Sequence, residues 1–470
     1  MRLPIPIIGP SFETRSPPLS AQVTKNLYPA ITPEGKNIVS LHAFPGYKVF
    51  STLSGSGRGM TKRDGVLFAV SGLSFYEVDS SGVSDEKGTI AGTSICDFAS
   101  NETQIFIANG ADPYLYGDTL QQITDDDVHE PTTVTWINGY FVMDSQENKG
   151  EFVTTKIDTT LTAADIVDSL DFATAEAHPD DILKAINYNQ YVYFFGSEST
   201  EPWWNSGTGT PPFDRVQGAV LPFGIAGQYA AYADDEAIFV LDNERIPRKI
   251  VGLQHVPIGN EALGREFSTY SDVSDCQVYS YLLDHQKFVQ YNFPTANRSW
   301  VYHERSNSWV QKSYGVDDAR DRGMSYCFCY GKHLVQDHEN GIIYEMDFDT
   351  FTDNGAVIQR RRRSANVHGG IYQQNGKGIE YARVQFDMET GVGINTGQGS
   401  DPMLMVRYSD DGGRTWSAEI QLALGVGGDY ERRAELYNSG TAFNRVFELT
   451  YSEPTRCSIY DANGDIAFGV

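Results

Sequence analysis

The chain has 470 residues, with 62 acidic against 36 basic side chains and a formal net charge of −26. That length supports two or three domains around a large core, and the acidity works against tight wrapping of a nucleic-acid backbone while allowing passing contact. Apolar residues make up 40% and aromatics 12%, with 45 Gly, 20 Pro and 27 Tyr against 8 Met, which excludes a disordered chain and favours strands and turns over helices.

Residues 1–58 begin with a Pro-broken apolar run that lacks the continuous apolar core of a signal peptide, so the chain is expected to begin here, inside a cell. They are rich in Pro and Ser, show little periodicity, and read as an extended arm running over the body or onto a neighbour. From 59 to 354 a repeat dominates. Short aromatic and β-branched runs recur: GVLFAV around Phe68, QIFIAN around Phe106, GYFVMD around Phe141, YVYFFG around Phe194, AIFVLD around Phe239, KFVQYNF around Phe288 and KHLVQD around Leu334. Their centres lie between 35 and 53 residues apart. That spacing, with a turn and a second run after several of them, predicts the four-stranded blades of a β-propeller, six or seven in number. One excursion, residues 160–186, reads as helical, with a second start at Pro179-Asp180-Asp181. A boundary falls near 355. Beyond it, period-two segments such as IEYARVQFDME and MLMVRYSDD predict a β-sandwich over 355–470.

The most specific motif lies in that last domain. Ser409-Asp410-Asp411-Gly412-Gly413-Arg414-Thr415-Trp416 fits the Asp-box pattern S-x-D-x-G-x-T-W through Ser409, Asp411, Gly413, Thr415 and Trp416. Ser and Asp side chains bond nearby backbone N–H groups, Gly permits positive φ, and Thr and Trp suit the returning strand. Asp-boxes occur on sialidase propellers and on non-enzymatic binding proteins. A sialidase needs an Arg cluster, a Tyr–Glu nucleophile pair and an acid/base Asp, and its boxes recur at equivalent blade turns. Here one box stands outside the blades, so a carbohydrate-binding or sialidase-like propeller is the alternative rather than the leading reading, and no catalytic residue is assigned.

Four arginines, Arg360, Arg361, Arg362 and Arg363, would place two on each face of a strand; a nucleic-acid or carboxylate site is the alternative to the favoured salt bridges to an acidic neighbour or subunit contact. Trp203 and Trp204 read as an exposed-looking aromatic pair that could stack on a sugar, with blade packing or a subunit interface the favoured role. The acidic clusters Asp125–Asp127, Asp180-Asp181 and Asp234-Asp235 lack metal-loop spacing, the nine His form no metal-binding motif, and no cofactor is expected. Five cysteines, an odd number in a large chain, argue against a disulfide framework; Cys327 and Cys329 read as one face of a strand.

In order along the chain, LSAQVTKNLYP, FPGY, GRGM, LDFATAEAHPDDI, FFGSESTEPWWNSG, QYNFPTANRSWVYHERSNSW, QFDMETGVG and RYSDDGGRTWS resemble the packaged-DNA stabilisation, or tail nozzle, proteins of short-tailed bacteriophages. The resemblance implies a structural virion protein in the phage tail, assembled in the host cytoplasm and not an enzyme. It further implies a homo-oligomeric ring, usually a hexamer, below the portal and its adaptor. Such a ring extends the DNA channel, retains the packaged genome, offers attachment to tail fibres or spikes, and does not insert into membranes.

Overall fold

The computed structural model describes every residue except 34, 36, 158–159, 176–179 and 470. The chain is nearly all β, and seven four-stranded units form a propeller. Six are built in chain order from residues 57–89, 97–122, 134–174, 182–215, 231–257 and 277–314. The seventh takes Gly323–Cys329, Lys332–Asp337 and Ile342–Asp347, and is completed by Gly46–Thr52 from the start of the chain. Innermost strands of successive blades touch around the ring, from Gly57–Arg63 through Gln277–Leu283 to Gly323–Cys329 and back to Gly57–Arg63. Each of the seven apolar runs falls on the second strand of its blade. Those strands are packed on both faces by adjacent blades, so Ile105–Ala108 and Ile238–Leu241 are buried at every residue and read as continuous apolar runs rather than alternations.

The helical reading of 160–186 is overturned. Val167–Thr174 is the outer strand of the third blade and Ile182–Tyr188 the inner strand of the fourth. They pair with Glu151–Thr155 and Tyr191–Gly196, and this cross-strand pairing outweighs a local spacing compatible with either structure. Pro179, proposed as part of a helix start, and His178 lie outside the described residues. Among the described residues one α-helix forms, Glu261–Ser268, which sequence reading missed; Leu263 N donates to the Asn260 side chain at its start at 3.0 Å.

The sandwich packs two sheets around Tyr381, Val384, Phe386, Leu404, Val406, Phe447 and Leu449. One sheet holds Leu27–Ile31, Val39–Ala43, Ser458–Phe468, Ile379–Met388 and Ala434–Ala442. The other holds Ala21–Lys25, Arg360–Arg363, Asn444–Tyr451, Met403–Ser409 and Ile420–Ala423, and it continues into the sixth blade, where Lys25 bridges in parallel to Gln311. The expected arm over 1–58 is thus corrected: its described residues supply strands to both sandwich sheets, the outer strand of the seventh blade through Gly46–Thr52 and, from Gly57, the start of the first blade. Arg2–Pro4 pairs with Ser458–Phe468, and Ile5 and Ile7 are buried in the sandwich core. All five cysteines are free and buried.

Candidate functional site

The Asp-box closes the hairpin between Met403–Ser409 and Ile420–Ala423. Asp411 Oδ1 accepts from the Ser409 hydroxyl at 2.7 Å and the Arg414 amide at 2.9 Å, and Oδ2 accepts from the Thr415 amide at 3.0 Å and hydroxyl at 2.6 Å. The Thr415 bonds, then Ser409, hold the Asp411 carboxyl well below the usual carboxylate range. The Ser409 hydroxyl also accepts from Gly413 N at 2.8 Å, and Trp416 Nε1 donates to the Gly413 carbonyl at 3.1 Å. The side chains of Ser409, Asp411, Thr415 and Trp416 are thus engaged within their own turn, while Asp410 accepts from Arg445 Nε at 2.6 Å and Nη2 at 2.8 Å. Gly412, at φ +78°, has room for no side chain: a Cβ there would lie 2.9 Å from Pro18 of the N-terminal segment.

Trp416 caps a charged ladder. Arg363, Glu448 and Arg407 are direct cross-strand neighbours on three adjacent strands. Arg363 donates to Glu448 Oε2 through Nε at 3.0 Å and Nη2 at 2.9 Å, and Arg407 Nε donates to Oε1 at 2.6 Å. The Arg363 and Arg407 guanidinium carbons lie 5.0 and 4.8 Å from the Trp416 ring centroid. Arg363 also pairs with Glu13 of the N-terminal segment at 3.1 Å.

The four arginines alternate as expected, Arg360 and Arg362 buried, Arg361 and Arg363 half-buried. Arg362 is a hub for the first residues of the chain. It donates to the Ile7 carbonyl, the Pro10 carbonyl at 3.0 Å, the Thr24 hydroxyl at 2.9 Å and the Gln22 side chain at 2.8 Å. Burial lowers its pKa to about 9, which leaves it a cation at neutral pH. Arg360 donates to the Glu453 carbonyl at 3.1 Å and the Phe351 carbonyl at 3.3 Å. Arg361 pairs with Asp318 at 3.6 Å. Asp-box, arginine strand and N-terminal segment thus meet in one seam, which binds the chain to itself.

Residues 1–351 match the family model described as Bacteriophage P22 Gp10, beta-propeller, and residues 366–467 match that described as Bacteriophage P22 Gp10, beta-sandwich. The chain belongs to the bacteriophage P22 Gp10 family. This is a family of phage structural proteins that stabilise packaged DNA, and the chain is a virion protein. No curated protein matches it. Among solved structures, the extracellular domain of a hybrid two-component system from B. thetaiotaomicron is 8% identical with a TM-score of 0.44, over 84% of this chain and 47% of that one. The chain thus spans about half the length of that extracellular domain. The Neurospora crassa Pan2 WD40 domain is 6% identical with a TM-score of 0.41, over 64% of this chain and 95% of that one.

The remaining candidate residues of this Gp10-family chain do not converge. Trp203 and Trp204 sit on Thr200–Asn205 and face opposite ways: Trp203 is buried against Phe152, and its Nε1 donates to Glu201 at 3.1 Å, while Trp204 is 44% exposed. Asp125 accepts from the Ile166 and Val167 amides, and Asp180 from those of Ser197, Glu198 and Ser199. Burial lowers the pKa of His303 and of His338, each to about 4, so both are neutral at physiological pH. No group of His, Cys, Asp or Glu able to hold a metal occurs among the described residues. No helix among them is long and apolar enough to cross a membrane. Sequence reading missed Glu448 and Arg407, the buried Arg445 that holds Asp410, and Asn26, whose side chain donates to the Ser313 and Gln359 carbonyls. Period-two placement of Arg407 and Glu448 in MVRYSDD and RVFELTY was the available signal.

Proposed function

We propose that this protein forms the tail nozzle: a homo-oligomeric ring, with six copies the favoured number, seated below the portal and its adaptor. There it extends the DNA channel, retains the packaged genome until ejection, and carries fibres or spikes on its outside. The observation that carries this reading is the family match, which takes in both the propeller and the sandwich. Its role is mechanical rather than enzymatic. A closed propeller sharing one sheet with the sandwich resists deformation under the pressure of packaged DNA. The channel lies between copies and not along the propeller axis, whose cavity of about 480 Å³ is crowded by Tyr229, Tyr232 and Lys184 and has no room for a duplex. A net charge of −26 per copy discourages DNA from adhering to the lumen during passage. Assembly takes place in the host cytoplasm.

Imaging of intact particles by cryo-electron microscopy tests the reading. Density fitting propeller and sandwich in a ring beneath the portal is expected, and particles lacking the protein should lose their DNA after packaging. Density elsewhere in the virion, or sialoside hydrolysis by the purified protein, overturns it.

A further inference from the structure

The first-to-second strand hairpins of the fifth and sixth blades, with the first strand of the seventh, surround a cleft of about 690 Å³. It opens into the axial cavity, with which it shares Tyr232, Tyr326 and Phe328. Tyr281 completes an aromatic floor. Leu282 and Phe328 stand on the walls with 49% and 45% of their surface exposed, although both lie on strands whose neighbouring residues are buried. Large apolar side chains left open beside a concave aromatic surface offer the kind of contact a docked segment uses.

The rim is acidic. Asp234, Asp235, Glu236 and Asp284 line it against one lysine, Lys287, which leaves three negative charges in excess. Lys287 is held by Asp234 at 3.0 Å and Glu236 at 2.7 Å. No cation lies within ion-pair distance of Asp235 or Asp284 among the described residues, and both are exposed. Carboxylates set around tyrosine and phenylalanine faces suit a cation on an apolar stem: its stem covers the rings, its head stacks on a ring face or pairs with a carboxylate. A nucleic-acid backbone would be repelled by the same rim.

We propose that this cleft docks a Lys- and Arg-bearing, partly apolar segment of a partner protein. Docking depends on the cleft alone and not on the nozzle reading. The test uses the full-length protein and a fluorescein-labelled peptide in which Arg and Lys alternate with Leu, followed by fluorescence anisotropy. Two cleft variants are compared, Asp235→Asn with Asp284→Asn, and Phe328→Ser. The control, Glu102→Gln with Asp118→Asn, removes the same charge from exposed positions on the second blade. Both cleft variants should bind about tenfold more weakly than the unaltered protein, with the control unchanged. Cleft variants that bind like the control overturn the proposal, as does equal binding of a peptide with Glu in place of the basic residues. It is also overturned if the variants alter sedimentation of the protein alone while peptide affinity stays intact, which assigns the cleft to a second copy.

Discussion

Glu448 is the residue on which the Asp-box seam depends. Its side chain is 1% exposed and balances two guanidinium groups that otherwise face each other under Trp416. Glu448→Gln keeps the shape and removes the charge, taking from the half-exposed Arg407 its carboxylate and leaving Arg363 with Glu13 alone. Losing one charged partner from this partly open network costs about 1–3 kcal/mol, so the urea midpoint should fall and Trp416 emission should shift as the cation stack loosens. Asp353 makes a different demand. Burial, then the charge of Asp321, pushes its carboxyl up to about 7, while Lys312 and Arg360 pull the other way. An unfolded Asp titrates near ~3.9, so between those values the folded state holds the proton more tightly. The resulting stability is fully present below ~3.9 and is lost as pH rises through the folded value. Asp353→Asn should abolish that slope and gain on the unaltered protein above pH ~7. Urea denaturation over a pH series checks it, and parallel curves for the two proteins would refute it.

The element that closes the propeller is Gly46–Thr52, which supplies the outer strand of the seventh blade from the opposite end of the chain. Its first residue allows no side chain: a Cβ on Gly46 would lie 2.5 Å from the carbonyl oxygens of both Thr350 and Thr352. Gly46→Ala must push the strand off its partner or the 350–352 turn out of place, at about 1–3 kcal/mol by analogy with overpacked cores. Hydrogen exchange should quicken first in Ile342–Asp347 and leave the second blade protected. These closures show what the sequence could and could not reveal. The buried second strands were legible because both faces are apolar, and the Asp-box because its bonds span at most four residues. The outer strand of the third blade was not: Asp168, Leu170 and Phe172 are exposed on it, so no buried face imposes a period of two. Alternation of the arginines followed from strand geometry, whereas the bond from Arg362 to the Ile7 carbonyl spans 355 residues and leaves no local trace. The same alternation separates Trp203 from Trp204, since adjacent strand residues face opposite ways.

At the scale of the whole molecule, propeller and sandwich are joined by backbone and not by a flexible linker, and Asn26 is the joint. It is 2% exposed and sits at φ 53°, a conformation asparagine tolerates better than most residues. Its side chain donates to the Ser313 carbonyl of the sixth blade at 3.0 Å and to the Gln359 carbonyl, just before the arginine strand, at 2.9 Å; it accepts from Ser313 N at 2.8 Å. Its own amide donates to the Gln311 carbonyl at 2.9 Å. One residue therefore ties the N-terminal segment, the last strand of the sixth blade and the start of the sandwich together. With this joint intact, the two domains should unfold in a single calorimetric transition, because neither can lose its sheet without stripping the other. Asn26→Ala strips the partner from the buried Ser313 carbonyl and amide and the part-buried Gln359 carbonyl and forces alanine into a left-handed conformation, at about 3–4 kcal/mol. The excess heat capacity should then split into two peaks, the lower belonging to the sandwich, whose Ala21–Lys25 strand loses its anchor. Asn26→Gly relieves the backbone but still lacks the side-chain bonds. If it too gives two peaks, the bonds carry the coupling; if it restores one, the backbone conformation does. A single peak at the original temperature for Asn26→Ala would show that the domains communicate elsewhere.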